Sequence, residues 1–117
     1  MPGNYFKLTD NAETTLNGNI TDVVDSIVVT SVDTLPTTFP YLLTIWDESI
    51  YPDPSDDPSM EIVLVGGATS NTLTSVTRGY GDTDGVAHVS GNRISLLITK
   101  ELFTGATYGI EPIIDAH

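Results

Sequence analysis

The chain contains no cysteine, which excludes a disulfide framework, a thiol nucleophile and a thiolate metal site. Positive charge is almost as scarce. Lys7, Arg78, Arg93 and Lys100 are the only bases against 16 acids, for a net charge of -12. Nucleic-acid affinity comes mainly from Lys and Arg neutralising phosphates, so DNA or RNA is not expected as a direct partner, and an anionic membrane surface is disfavoured on the same ground. No stretch approaches the ~20 consecutive apolar residues of a spanning helix. The opening MPGNYFKLTDNAETTL has neither the basic n-region nor the apolar h-region of a secretory signal. The expectation is a protein made in a cytoplasm, with no membrane partner.

What the chain does have is threonine, 17 residues of it, together with Val, Ile and Tyr, all of which favour pleated, half-buried surfaces. Its 117 residues predict a single domain over 1–117, with a flexible arm at 1–8 and an irregular tail at 104–117. Five β-branched or aromatic runs bounded by turn residues read as strands: 26–31 (SIVVTS), 41–47 (YLLTIWD), 60–66 (MEIVLVG), 72–78 (TLTSVTR) and 92–99 (NRISLLIT). Residues 67–71 (GATSN) have the length of a hairpin loop, so the third and fourth runs should pair antiparallel. One short helix is expected at 9–16, where Thr9 or Asp10 would cap and Glu13 would complete a capping box. Residues 48–59 (ESIYPDPSDDPS) and 79–91 (GYGDTDGVAHVSG) are long polar loops. The predicted fold class is therefore all-β: a small antiparallel β-sandwich or barrel with long loops and an extended N-terminal arm.

Acidity is uneven: residues 1–59 hold ten acids and one Lys, residues 60–117 six acids and three bases. A basic partner surface and simple solubility both account for such a surface.

No catalytic constellation emerges, and no enzyme is expected. His88 and His117 lack the spacing that places two ligands on one face. No G-x-S-x-G elbow is present, and His88, in a Gly-rich loop, reads as a residue that hydrogen-bonds its own turn. Asp82-Thr83-Asp84-Gly85 begins like a calcium loop, but neither register supplies the required Gly and the closing Glu. Asp53, Asp56 and Asp57 alternate with prolines and read as a stiff solvated loop. Asp47, Glu48 and Glu61 read as strand-end acids facing water. No metal or cofactor is expected. Trp46, Tyr41, Tyr51 and Tyr80 are candidates for a sugar-stacking platform, although Trp46 stands in an apolar strand, where a core position is the stronger reading. Met1–Asn4, rich in Pro, Gly and Asn, reads as a segment that orders on contact.

The order of short motifs resembles a small β-rich structural module of tailed bacteriophages and related viruses. The matching pieces are Leu8-Thr9-Asp10-Asn11-Ala12-Glu13-Thr14-Thr15-Leu16, the SIVVTS strand leading to Phe39-Pro40, and Glu61-Ile62-Val63-Leu64-Val65. They continue with Leu73-Thr74, Val76-Thr77-Arg78-Gly79 and Ala87-His88-x-x-Gly91-x-Arg93, ending at Leu102-Phe103. This order spans about residues 6–103. The segment Tyr80-Gly81-Asp82-Thr83-Asp84 departs from the Gly/Thr/Ala-rich loop expected there. The resemblance implies a virion component: a capsid decoration protein, self-associated as a trimer, that binds the major capsid protein on the outside of the assembled head. The alternative it implies is a tail, baseplate or head-spike component that binds host-surface glycans. Tyr5, Phe6, Trp46, Tyr51 and Tyr80 are the residues expected to meet the partner in either role.

Overall fold

A computed structural model of the chain describes residues 7–9 and 11–97. Within them the strands are β1 (Glu13–Thr15), β2 (Ile27–Val28), β3 (Tyr41–Trp46), β4 (Glu61–Thr69), β5 (Thr72–Thr77) and β6 (Arg93–Ser95), with one 3₁₀ turn at Pro54–Asp56. They form one antiparallel sheet in the order β1-β6-β3-β4-β5-β2. The sheet curls into a half-barrel, and its two edge strands come together. Leu16 and Val29 form an antiparallel bridge, Asn17 N–H donates to Val28 O, and Thr30 N–H donates to Thr15 O, each N–H···O at 2.9 Å. Edge backbone groups that would otherwise be open to another chain are thereby paired. The all-β expectation holds.

The helix expected at 9–16 does not form. Ala12, Thr14 and Leu16 are buried, while Asn11 and Glu13 are exposed, which is the period of two of a strand rather than the 3.6 of a helix. Glu13 caps nothing. It pairs with Ser95 in the sheet, and its side chain lies 3.4 Å from Arg93. Two turns of helix are marginal without tertiary support, and here the tertiary partner is a strand. The 1–8 arm lies outside the described residues except for Lys7 and Leu8, and the 104–117 tail wholly outside. The last expected strand, 92–99, is reduced to Arg93–Ser95 within the described residues.

Strand β3 is buried along its whole length. Tyr41, Leu43 and Ile45 enter the main core with Leu16, Ile27, Val29, Leu35, Val63, Val65, Leu73, Val76 and Ile94. Leu42 packs with Ile62 in a second cluster covered by Met60, Leu64 and Tyr80. Burial pushes the Tyr41 phenol up to about 12, and its ring stacks on Phe39 with centroids 5.5 Å apart.

The β4–β5 hairpin is tighter than the sequence suggests. Thr69 pairs with Thr72, leaving only Ser70 and Asn71 in the turn, with Ser70 in the left-handed region at φ 54°. A second left-handed residue, Ser75 at φ 51°, interrupts β5. Regular alternation from Leu73 would direct Ser75 and Thr77 inward and Val76 outward. The kink instead lets Leu73 and Val76 both face the core, with Ser75 exposed. Gly66 accommodates it from β4: a Cβ there would lie 3.0 Å from Ser75 O and 3.1 Å from Ser75 Cβ. The freed Val76 N–H donates to Asp25 O at 3.0 Å, which docks the 17–25 segment onto this edge.

Candidate functional site

Glu61 opens β4 with a side chain of zero exposure. The expectation of a water-facing strand-end acid is therefore wrong. Burying a carboxylate costs several kcal/mol unless its oxygens are satisfied, and here five donors converge on two oxygens. Oε2 accepts from Arg78 Nε at 2.7 Å and Gly79 N–H at 2.8 Å. Oε1 accepts from Arg78 Nη2 at 2.9 Å, His88 Nε2 at 2.8 Å and Val86 N–H at 3.2 Å. Burial by itself would raise the Glu61 pKa; the hydrogen bonds from His88, Arg78, Gly79 and Val86 outweigh it and hold the carboxyl at about 2.

Arg78 is satisfied as fully. Besides its two bonds to Glu61, Nη1 donates to Thr21 O (2.7 Å) and Val24 O (3.1 Å), and Nη2 also donates to Val86 O (2.7 Å). All five guanidinium N–H groups thus have acceptors. Gly79 follows in the left-handed region at φ 57°, and a Cβ there would lie 2.7 Å from Gly85 N. Only glycine turns the chain sharply enough to aim its N–H at Glu61.

His88 was expected to bond its own turn. Instead its side chain is 3% exposed and reaches Glu61, while its backbone pairs in both directions with Ile20 (2.9 and 3.1 Å). Gly91, at φ 95°, donates its N–H to Leu16 O at 2.8 Å. The 79–91 loop, the 17–25 segment, β4 and β5 therefore meet at one buried charged hub.

The 48–59 loop also uses carboxylates as local caps, buried at Asp57 and exposed at Asp53, while Asp56 faces solvent. Buried Asp57 accepts Asp47 N–H through Oδ2 (2.8 Å) and Ser59 N–H through Oδ1 (2.7 Å). Asp53 Oδ1 caps the 3₁₀ turn by accepting the N–H and hydroxyl of Ser55. Two cavities, of about 230 and 220 Å³, flank Asp57 and Pro58 between this loop and the 79–91 loop. The first is bordered by Asp47, Tyr51, Ser59, His88 and Val89, the second by Met60, Asp82, Thr83 and Asp84.

Of the expected partner residues, Tyr5 and Phe6 lie outside the described residues. Trp46 is 4% exposed, and its indole N–H donates to Tyr51 O at 3.0 Å. Trp46 and Tyr51 are thus brought together, but as support and rim of the first cavity rather than as two open rings. Tyr80, half-buried, packs against Leu42 and Ile62. Sequence reasoning missed Glu61 and Asp57 because burial of an acid leaves no local trace. The one available signal was Arg78, a cation at the end of a strand in a chain nearly devoid of them. Among the described residues, no group of three His, Asp or Glu side chains is placed to hold a metal ion.

No known protein family matches the chain, and no curated protein is similar to it.

Proposed function

We propose that the chain is a non-enzymatic structural protein of a tailed-virus virion, a decoration protein that binds the outer surface of the assembled head in many copies, grouped as trimers, and ties neighbouring capsomers together. One observation carries the reading. The motif residues on which the resemblance rests, Glu61, Arg78, Gly79 and His88, meet in a single buried hub, with Gly91 at its flank. Convergence of separated motif residues on one buried point is what a shared fold would produce, and it supports the reading. Its surface suits the role. Arg78 is buried, and Arg93 is engaged by Glu13 and Glu48, which leaves acids to dominate. An acidic exterior stays clear of nucleic acid and presents a complementary charge to a basic shell surface. Where neighbouring capsomers meet, added buried area would resist the outward pressure of packaged DNA. For the host-glycan alternative, Trp46 offers no open ring face.

Rebinding tests this reading. Purified protein added to shells that lack it should be retained up to a saturating ratio and should raise the temperature at which the shells release their DNA. Shells that retain none of it at moderate salt would contradict the proposal.

A further inference from the structure

Asn17-Gly18 is the only Asn-Gly pair in the sequence, and the fold presents it at the seam where the two edge strands meet. Asn17 N–H donates to Val28 O at 2.9 Å, beside the Leu16–Val29 bridge. Both residues are exposed, and the Asn17 carboxamide has no hydrogen-bond partner among the described residues, so its rotamers are free. Gly18, at φ 108°, has nothing within 4 Å of the point where a Cβ would stand, so no side chain shields its backbone nitrogen. One restraint remains. That nitrogen donates its hydrogen to Ser90 Oγ at 3.0 Å, and Ser90 Oγ is itself tied to Leu16 O at 3.3 Å. The other described asparagines lack this combination. Asn19 and Asn92 use Oδ1 to accept the N–H groups of Ser90 and Val89, and Asn11 and Asn71 precede Ala12 and Thr72, whose side chains crowd the following nitrogen.

We propose that Asn17 is a self-modification site, at which the Gly18 nitrogen attacks the Asn17 side-chain carbonyl when its bond to Ser90 opens. A bond forms between Gly18 N and Asn17 Cγ, and the Cγ–Nδ2 bond breaks. The Gly18 proton departs with Nδ2 as ammonia, leaving a cyclic imide. Solvent water then opens the ring at either carbonyl, so the balance is amide plus water to carboxylic acid plus ammonia. Opening at the Asn17 backbone carbonyl yields isoaspartate, which routes the main chain through the former side chain and lengthens it by one methylene. Gly18 N is then displaced from Ser90 Oγ, and a new carboxylate stands at the seam. The Ser90 hydroxyl is therefore the brake on the reaction, and the product loosens the contact between the two edge strands. The site follows from the fold alone and does not rest on the shell-binding reading.

The test is incubation of the intact protein in mildly alkaline buffer made with heavy-oxygen water, followed by peptide mapping by mass spectrometry. The expected result is replacement of the Asn17 amide nitrogen by one labelled oxygen, well ahead of any change at the other five asparagines, with isoaspartate outweighing aspartate. Backbone hydrogen exchange of the converted protein should speed at Asn17 and Gly18. Ser90→Ala, which removes the acceptor, should raise the conversion rate about fivefold, the population change expected when one hydrogen bond is lost. Should Ser90→Ala fold poorly, the wild-type map decides alone. Retention of the Asn17 amide over the time in which the urea-unfolded chain loses it, or conversion to aspartate without isoaspartate, would overturn the proposal. Equal rates in wild type and a folded Ser90→Ala would overturn the brake assigned to Ser90.

Discussion

Glu61→Gln should lower the folding free energy by about 3–5 kcal/mol, the range for removing one partner of a buried ion pair. The substitution keeps the shape and changes the chemistry. Whichever position the amide nitrogen takes, it faces groups that only donate: Arg78 Nε and Gly79 N–H on one side, or Arg78 Nη2 and Val86 N–H, beside His88 Nε2, on the other. It also leaves Arg78, whose side chain is 8% exposed, without its counter-charge. Denaturant unfolding should show a lower midpoint with an unchanged slope, and the melting temperature should fall on the order of 15 °C. A loss below about 1 kcal/mol, the scale of a surface pair, would mean that the hub does not hold the loops.

Acid should dismantle the same hub. An unfolded glutamate titrates near 4.5, whereas folded Glu61 is held at about 2. A carboxyl with a depressed folded pKa contributes stability that is complete above the unfolded value and is lost as pH falls through the folded one. The window is therefore about pH 4.5 down to 2, and the amount is on the order of 3 kcal/mol at 1.36 kcal/mol per pKa unit. Asp53, lowered by the Ser55 backbone N–H and then the Ser55 hydroxyl, shifts in the same direction but is fully exposed. To isolate Glu61, unfolding free energies of wild type and Glu61→Gln are compared from pH 6 to 2. The gap between them should be constant above the window and close within it. A gap that stays constant to pH 2 would contradict the assignment.

The parts of the fold legible in the sequence are those set by local chemistry. YLLTIW and EIVLV are apolar and β-branched enough to be strands wherever they sit, and GATSN between two such runs could only return the chain antiparallel. Residues 9–16 were misread because Thr9, Asp10 and Glu13 satisfy a capping pattern locally, while the burial of Ala12, Thr14 and Leu16 is decided by β6, some eighty residues away. The kink at Ser75 was hidden for a related reason. TLTSVT alternates acceptably on paper, and only the core's need for both Leu73 and Val76 selects the left-handed serine. Of the site, the glycines and Arg78 were visible as motif letters without a reason. Glu61 supplies that reason, yet it looks like any acid at the head of a strand, because the sheet register brings Arg78 to it and the chain path brings His88. The aromatic residues were overvalued: Trp46 belongs to the interior, and its contribution to the surface is to hold Tyr51 in place.

The most direct test of the account is the number of copies of this chain per purified virion, measured by quantitative mass spectrometry against the major shell protein. A shell-binding role predicts a ratio that is a simple, large fraction of the shell protein. A ratio matching the few copies of tail-tip or fibre proteins, or absence from the particle, would contradict it.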